Sequence, residues 1–205
     1  PFGTGLTFSI AWTFAEFPAD LGAVSLAMGV TVAESLRATG AAQTMLKWPN
    51  DVVWRQRKLG GLLIQLKSEA GGAACVVVGL GLNLDLPDET RAELAARHGA
   101  LPVADLAEAF GNRLPSRNVL AARLTLSMLG GLAEFGRLGF EPFEARWASL
   151  DSLAGNPVRV MQGGLVVDGI ARGADRDGAL RVDVGGRIER VLSGDVSVRP
   201  AAGSP

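Results

Sequence analysis

The chain has 205 residues, 48% hydrophobic and 20% charged, with 20 Lys and Arg against 21 Asp and Glu for a formal net charge of −1. That composition suits a globular protein with one medium domain and a small appended one. The balanced charge predicts no nucleic-acid partner for this segment, and no stretch reads as long and apolar enough to span a membrane, which argues against a membrane protein.

Cysteine and histidine each occur once, as Cys75 and His98. A Cys/His zinc site and a Ser-His-Asp triad are therefore not expected, and chemistry falls to Lys, Arg, Asp, Asn and backbone amides. Cys75 lies in the apolar run Ala73 to Leu82 and reads as a buried small hydrophobe. It has no internal disulfide partner, which fits a reducing, cytoplasmic compartment.

In chain order, Pro1-Phe2-Gly3-Thr4-Gly5 opens without an initiator Met or a signal pattern and reads as the start of a fragment. Leu6 to Trp12 predicts a strand. Pro18 and Asp20 then signal a helix whose apolar residues Leu21, Val24, Met28, Val32 and Leu36 share one face, with Gly40 as the stop. Short apolar runs at Thr44 to Lys47, Asp51 to Trp54, Lys58 to Lys67 and Ala73 to Leu84 predict consecutive strands of one sheet. Residues 87–117 predict short helices in a connection. Asn118 is placed as the cap of a helix with Leu120, Leu124, Met128, Leu132 and Phe135 on its apolar face. Gly130 and Gly131 weaken that helix by about 1 kcal/mol each relative to Ala. Phe140 to Leu150 predicts a further helix with Phe143 and Trp147 one turn apart, Trp147 in the core. From Gly155 the pattern becomes short alternating runs such as Leu180 to Val184, separated by turns expected at Asp168-Gly169, Asp177-Gly178 and Gly185-Gly186. About five short strands would suit a small SH3-like barrel, followed by a disordered tail.

Three segments carry candidate chemistry: Lys47-Trp48-Pro49-Asn50-Asp51, then Arg57-Lys58-Leu59-Gly60-Gly61, then Gly79-Leu80-Gly81-Leu82-Asn83. Each lies at a strand end, so an ammonium, an amide and a carboxylate fall close together. A reversal near Trp54 and Arg55 would set Asp51 opposite Lys58 across a hairpin. Taken singly these are ordinary turn residues, an ordinary surface ion pair and bulge glycines.

The order KWPND, RKLGG and GLGLN at these separations resembles the biotin protein ligase family. Pro1-Phe2-Gly3, the helix leading to Leu36, Arg146-Trp147 through Asp151 and Asn156-Pro157-Val158 extend the resemblance over essentially the whole chain. It implies an α/β catalytic domain over 1–152 with a mixed sheet flanked by helices, an SH3-like β domain over 153–200, and a tail at 201–205. It implies ATP-dependent activation of biotin to biotinyl-5′-AMP, with Mg2+ accompanying ATP, and transfer to a lysine of a biotin carboxyl carrier protein. The exposed sheet edge would serve carrier docking or a homodimer.

By the same resemblance Lys47 offsets the repulsion between carboxylate and α-phosphate, Asp51 orients the acceptor ammonium, and Lys58 holds the adenylate. Trp48, Asn50, Gly60, Gly61, Gly79, Gly81 and Asn83 are the expected biotin and adenylate contacts, with structural packing an equal reading for Trp48. The glycines would let backbone approach the ligand, and Asn83 would turn its amide to the nucleotide.

Members of the family carry a Gly/Arg-rich biotin loop, and before it a Ser-Thr contact, upstream of the Pro-Phe-Gly-like segment. Neither is in this sequence, so the segment alone is not expected to be a competent ligase. A helix-turn-helix module, found in some bacterial relatives, would also lie upstream. Two alternatives stay open: a lipoate or octanoate transferase, and a non-catalytic biotin-sensing module on the same scaffold.

Overall fold

A computed structural model describes residues 3–16, 18–68, 73–96, 102–162, 165–192 and 197–200. The strand-forming runs of the first half appear as β1 (Gly5–Phe14), β2 (Thr44–Lys47), β3 (Asp51–Trp54), β4 (Arg57–Ser68) and β5 (Ala74–Asn83). They form one sheet in the order β1-β5-β4-β3-β2. The expected mixed sheet is corrected, since every strand pairing in it is antiparallel. The connections from β2 to β5 are short, and a short connection can only reverse the chain.

Side chains alternate across a strand with a period of two. Leu6, Ile10 and Phe14 of β1 and Val76, Val78, Leu80 and Leu82 of β5 are buried, while Thr7 and Ser9 between them are exposed. One face of the sheet is therefore apolar and the other open. Cys75 belongs to the open set and is half-buried rather than buried as expected.

The apolar face is covered by α1 (Val24–Thr39), α4 (Arg117–Leu138) and α5 (Glu141–Leu150). A single 3-10 turn, Leu21–Ala23, leads into α1, and Gly40 ends it at φ 135°. The predicted stripe is buried, but so are Leu26, Ala27, Val30 and Ala33, making α1 a core helix apolar nearly all round. In α4 the predicted residues Leu120, Leu124, Met128, Leu132 and Phe135 are all buried. Its N-cap is Ser116, extended at ψ 150°, so Asn118 lies inside the first turn instead of capping it. Phe143 and Trp147 of α5 are buried as predicted. By length and composition Leu21–Thr39 and Arg117–Leu138 are long and apolar enough to cross a membrane, which corrects the expectation that no stretch is. In α1 that apolarity is taken up by the core.

Two short helices, α2 (Asp88–Ala95) and α3 (Leu106–Phe110), occupy the predicted connection. Beyond α5, β6 (Pro157–Gln162), β7 (Leu165–Ala174), β8 (Leu180–Val184), β9 (Arg187–Val191) and β10 (Ser197–Pro200) make a second antiparallel sheet, ordered β10-β6-β7-β8-β9. Among the described residues β9 and β10 are not paired, and no closed barrel is seen. Gly178, Gly185 and Gly186 have positive φ in the predicted turns. Asp168-Gly169 instead lies within β7, where Asp168 faces Arg159 of β6 in an ion pair of 2.8 Å. His98, Pro1-Phe2 and the tail 201–205 lie outside the described residues.

Candidate active site

Lys47 ends β2 and stands directly opposite Asp51, the first residue of β3. The reversal between them is Trp48-Pro49-Asn50, with a cis Trp48-Pro49 bond. Asn50 locks it to β4, its Nδ2 donating to the Leu62 carbonyl at 2.7 Å while Leu62 N–H donates to the Asn50 carbonyl at 2.9 Å. Ser25 of α1 donates its hydroxyl to the Pro49 carbonyl at 3.2 Å.

The β3–β4 hairpin turns at Arg55 and Gln56, both at positive φ (48° and 61°), as a tight two-residue hairpin demands. The expected pairing of Asp51 with Lys58 is shifted by a bulge. Lys58 pairs with Val53, Gly60 with Val52, and Asp51 faces Gly61. Bulges re-aim side chains, and here the Lys58 ammonium comes to 2.5 Å from the Asp51 carboxylate. A Cβ on Gly61 would lie 3.4 Å from Asp51 Oδ1 and 3.9 Å from Lys58 Cε, so the missing side chain leaves the path between them uncrowded.

The backbone of Lys58 is pinned from outside the sheet. Its N–H donates to the Pro102 carbonyl at 2.7 Å, and Ala104 N–H donates to its carbonyl at 2.9 Å. Asn83 adds a clamp, its Nδ2 donating to Lys58 O at 3.3 Å and Ala104 O at 2.9 Å. The Asn83 NH2 group thus donates inside the protein, while the residue lines the groove described below.

Cross-strand partners share a face. Register therefore aligns Lys47, Asp51, Gly61, Gly81 and Thr7 in one row across β2, β3, β4, β5 and β1 on the open side. Above this row lies a groove of about 700 Å³ reached by Asp51, Lys58, Gly61 and Gly81, with Leu94 of α2 and Val103 along it. Lys47 is in the row but not among the groove residues. The Asp51 side chain is 16% exposed and that of Lys58 44%. A pair this open to water adds little stability, so stability does not account for it. A recessed carboxylate, an outward ammonium and glycines at 61, 79 and 81 in the floor form a place where an anionic ligand can lie close to backbone.

The four glycines differ. Among the described residues a Cβ on Gly81 would meet nothing within 4 Å, and one on Gly79 would make only ordinary contacts, the nearest at 3.5 Å. On Gly60 it would fall 2.2 Å from the Gly81 carbonyl. The β4–β5 pairing therefore requires glycine at position 60, which also lines the groove. Trp48 is 1% exposed, with Nε1 donating to the Gly178 carbonyl at 2.8 Å. Of its two readings the structural one describes these surroundings, and the Asn50 amide is likewise spent on its turn.

Sequence reasoning missed the frame beside the groove. Buried Asp105 caps α3 by accepting from Glu108 N–H at 2.9 Å, and its other oxygen accepts from Leu86 N–H at 2.8 Å and pairs with Arg91. Glu108 pairs with Arg57 and with Arg91, tying α2 and α3 to the start of β4. The Arg57 guanidinium, ahead of Arg91, holds the Glu108 carboxyl below the usual range. The spacing Asp105-x-x-Glu108 is a helix-start signature that would have found it.

Residues 1–83 match the profile of the Biotin/lipoate A/B protein ligase family, and residues 154–199 that of the Biotin protein ligase C terminal domain. The chain is 36% identical over 201 residues to the bifunctional ligase/repressor BirA of Escherichia coli, covering 98% of this chain and 60% of that protein. It is 37% identical over 179 residues to the biotin–[acetyl-CoA-carboxylase] ligase of Mycobacterium tuberculosis, covering 85% of this chain and 62% of that one. It thus spans about three fifths of the curated relatives it matches. The apo biotin protein ligase of Aquifex aeolicus superposes with a TM-score of 0.79 at 25% identity, over 97% of this chain and 83% of that one. Its R40G mutant, solved in complex with biotin, gives the same TM-score and identity, over 79% of its chain. With both of its parts matched and this groove at the strand ends, the chain belongs to the biotin protein ligase family.

Proposed function

We propose that the protein activates biotin with ATP to biotinyl-5′-AMP and transfers the biotinyl group to a lysine of a biotin carboxyl carrier protein. The observation that carries this reading is the Asp51–Lys58 pair, aimed by a bulge into a glycine-floored groove. Relatives named as biotin ligases, one of them solved with biotin, support the choice of substrate.

Bringing a carboxylate to the α-phosphate of ATP sets two anions against each other, and a fixed ammonium between them stabilises the charge developing on the phosphoryl oxygens. Lys58 reaches the groove and takes that role, which the sequence reading gave to Lys47. Lys47, next in the row, adds positive potential beside Asp51. Asp51 orients Lys58 during adenylation. It then receives the acceptor ammonium and helps remove its proton before the amine attacks the acyl carbon and AMP departs. Gly61, Gly79 and Gly81 admit the ligand to the sheet surface. Trp48, Asn50 and Asn83 hold the strand ends in register.

Mg2+ enters with ATP as counter-ion to its phosphates, and among the described residues no cluster of three or more His, Cys, Asp or Glu would cage a metal separately. We assign 1–152 to a catalytic domain and 153–200 to an SH3-like C-terminal domain, supported by the five short antiparallel strands of the second sheet. Lone Cys75 supports a reducing, cytoplasmic setting.

Biotin-dependent ATP–pyrophosphate exchange by the full-length protein tests the reading. Lys58→Ala is expected to lower the exchange kcat by about 100-fold, the scale seen when one transition-state charge contact is removed, and Lys47→Ala by less. A folded Lys58→Ala protein with full exchange would sink the proposal.

A further inference from the structure

Among the described residues, none of those around the groove belongs to the second sheet. Its β7–β8 turn, Asp175 to Ala179, nevertheless lies directly behind the KWPND reversal. The buried Trp48 indole donates to the Gly178 carbonyl at 2.8 Å. A Cβ on Gly178, at φ 86°, would lie 2.9 Å from Ala23 Cα, and one on Gly22 would lie 2.7 Å from the Asp177 carbonyl. Backbone thus packs on backbone where the chain enters α1, the helix whose Ser25 holds the Pro49 carbonyl.

The turn is itself braced. Gly178 N–H donates to the Asp175 carbonyl and Asp175 N–H to the Ala179 carbonyl, both at 3.0 Å. Arg190 of β9 donates from Nε to Asp175 Oδ2 at 2.6 Å and pairs through its other arm with Asp177. A hydrogen bond with Asp175, and then the one from Arg190, hold the Asp177 carboxyl down at about 2.

We propose that this turn is a positioning element of the adenylation site. Gly178 fixes Trp48, Trp48 fixes the reversal that spaces Lys47 from Asp51, and Arg190 acts on the chemistry only through the turn. Arg190 is a positioning residue, since it touches neither the groove nor the reversal. The proposal rests on the ligase reading above.

The test uses the full-length protein, Arg190→Ala, Trp48→Phe and the double variant, with two readouts. The first is the indole N–H resonance of Trp48, identified by its loss in Trp48→Phe. Arg190→Ala should shift it and speed its solvent exchange, although the two residues do not touch. The second is biotin-dependent exchange. Each single change should lower kcat by about tenfold or more, as misplacement remote from the chemistry does, with the KM for biotin little changed. The double variant should lose no more than the worse single, because both act through one contact.

An unmoved indole resonance with unchanged kcat in Arg190→Ala would overturn the proposal, as would losses that multiply in the double variant. A folded wild-type protein without biotin-dependent exchange would instead overturn the ligase reading, and the resonance would still decide whether Arg190 governs the turn.

Discussion

Gly60 and Gly81 pair with adjacent positions of neighbouring strands yet serve opposite needs. At Gly60 an added methyl meets the Gly81 carbonyl at 2.2 Å and Leu82 Cα at 2.9 Å, both backbone atoms that cannot move alone. Gly60→Ala should therefore cost about 1–3 kcal/mol, as overpacking does. At Gly81 the same methyl enters open groove, so Gly81→Ala should keep stability within about 0.5 kcal/mol while raising the KM for biotin or ATP. Urea unfolding and exchange kinetics on the two variants separate these outcomes. Equal stability losses would mean that the open face is not a binding floor. The residue types of the site were legible in Lys47 to Asn83 because a Lys, an Asp and paired glycines at strand ends make unusual company. Which glycine serves which purpose was not, since that depends on the bulge at Leu59, and a bulge leaves the apolar alternation on either side intact.

At the scale of elements the long periodic segments were readable. The strands from β2 to β5 and helices α1, α4 and α5 lie close to their predicted places, because strict two-residue and three-to-four-residue spacing leaves one way to bury the apolar side chains. Exceptions trace to tertiary contacts. Asp168-Gly169 carries the letters of a turn but sits in β7, where Arg159 pairs with Asp168 and a Cβ on Gly169 would meet the Asp183 carbonyl at 2.6 Å. Gly130 and Gly131 looked equivalent in the sequence, and packing separates them. Gly131 faces α1, where a methyl would lie 2.5 Å from Thr31 Oγ1 and 3.0 Å from Met28 Cε, whereas Gly130 is exposed with nothing within 4 Å. Gly130→Ala should raise stability by up to about 1 kcal/mol through helix propensity, and Gly131→Ala should lower it by about 1–3 kcal/mol by forcing the helices apart. Thermal unfolding of both variants checks the sign, and a stabilised Gly131→Ala would refute the close α1–α4 crossing.

Across the whole molecule, Asp151 joins the parts. Its backbone bridges to Leu46 of β2, Ser152 N–H donates to the Leu46 carbonyl at 2.8 Å, and Asp151 Oδ1 accepts from Leu153 N–H at 2.9 Å on the way to the second sheet. The residue is 7% exposed, and its Oδ2 has no hydrogen-bond partner among the described residues. Burial raises its pKa above the usual Asp value, outweighing the backbone hydrogen bonds from Leu153 and Ala154 that act in the other direction. An unfolded chain would titrate this group near about 3.9. Between that value and the higher folded one, the folded state binds more protons than the unfolded state, so this group makes stability fall as pH rises through the window. Below the window the relative stabilisation is fully present; above it, the cost of a buried charge is fully felt and no longer changes with pH. Asp151→Asn keeps an acceptor for Leu153 N–H and removes the titration. The difference in unfolding free energy, variant minus wild type, should therefore grow in the variant's favour as pH is raised above about 4, and level off once the folded-state carboxyl is ionised. Urea unfolding of both proteins at a series of pH values measures it. Parallel curves would mean that the Asp151 carboxyl is solvated in the folded protein, and that the junction between the two sheets is open to water.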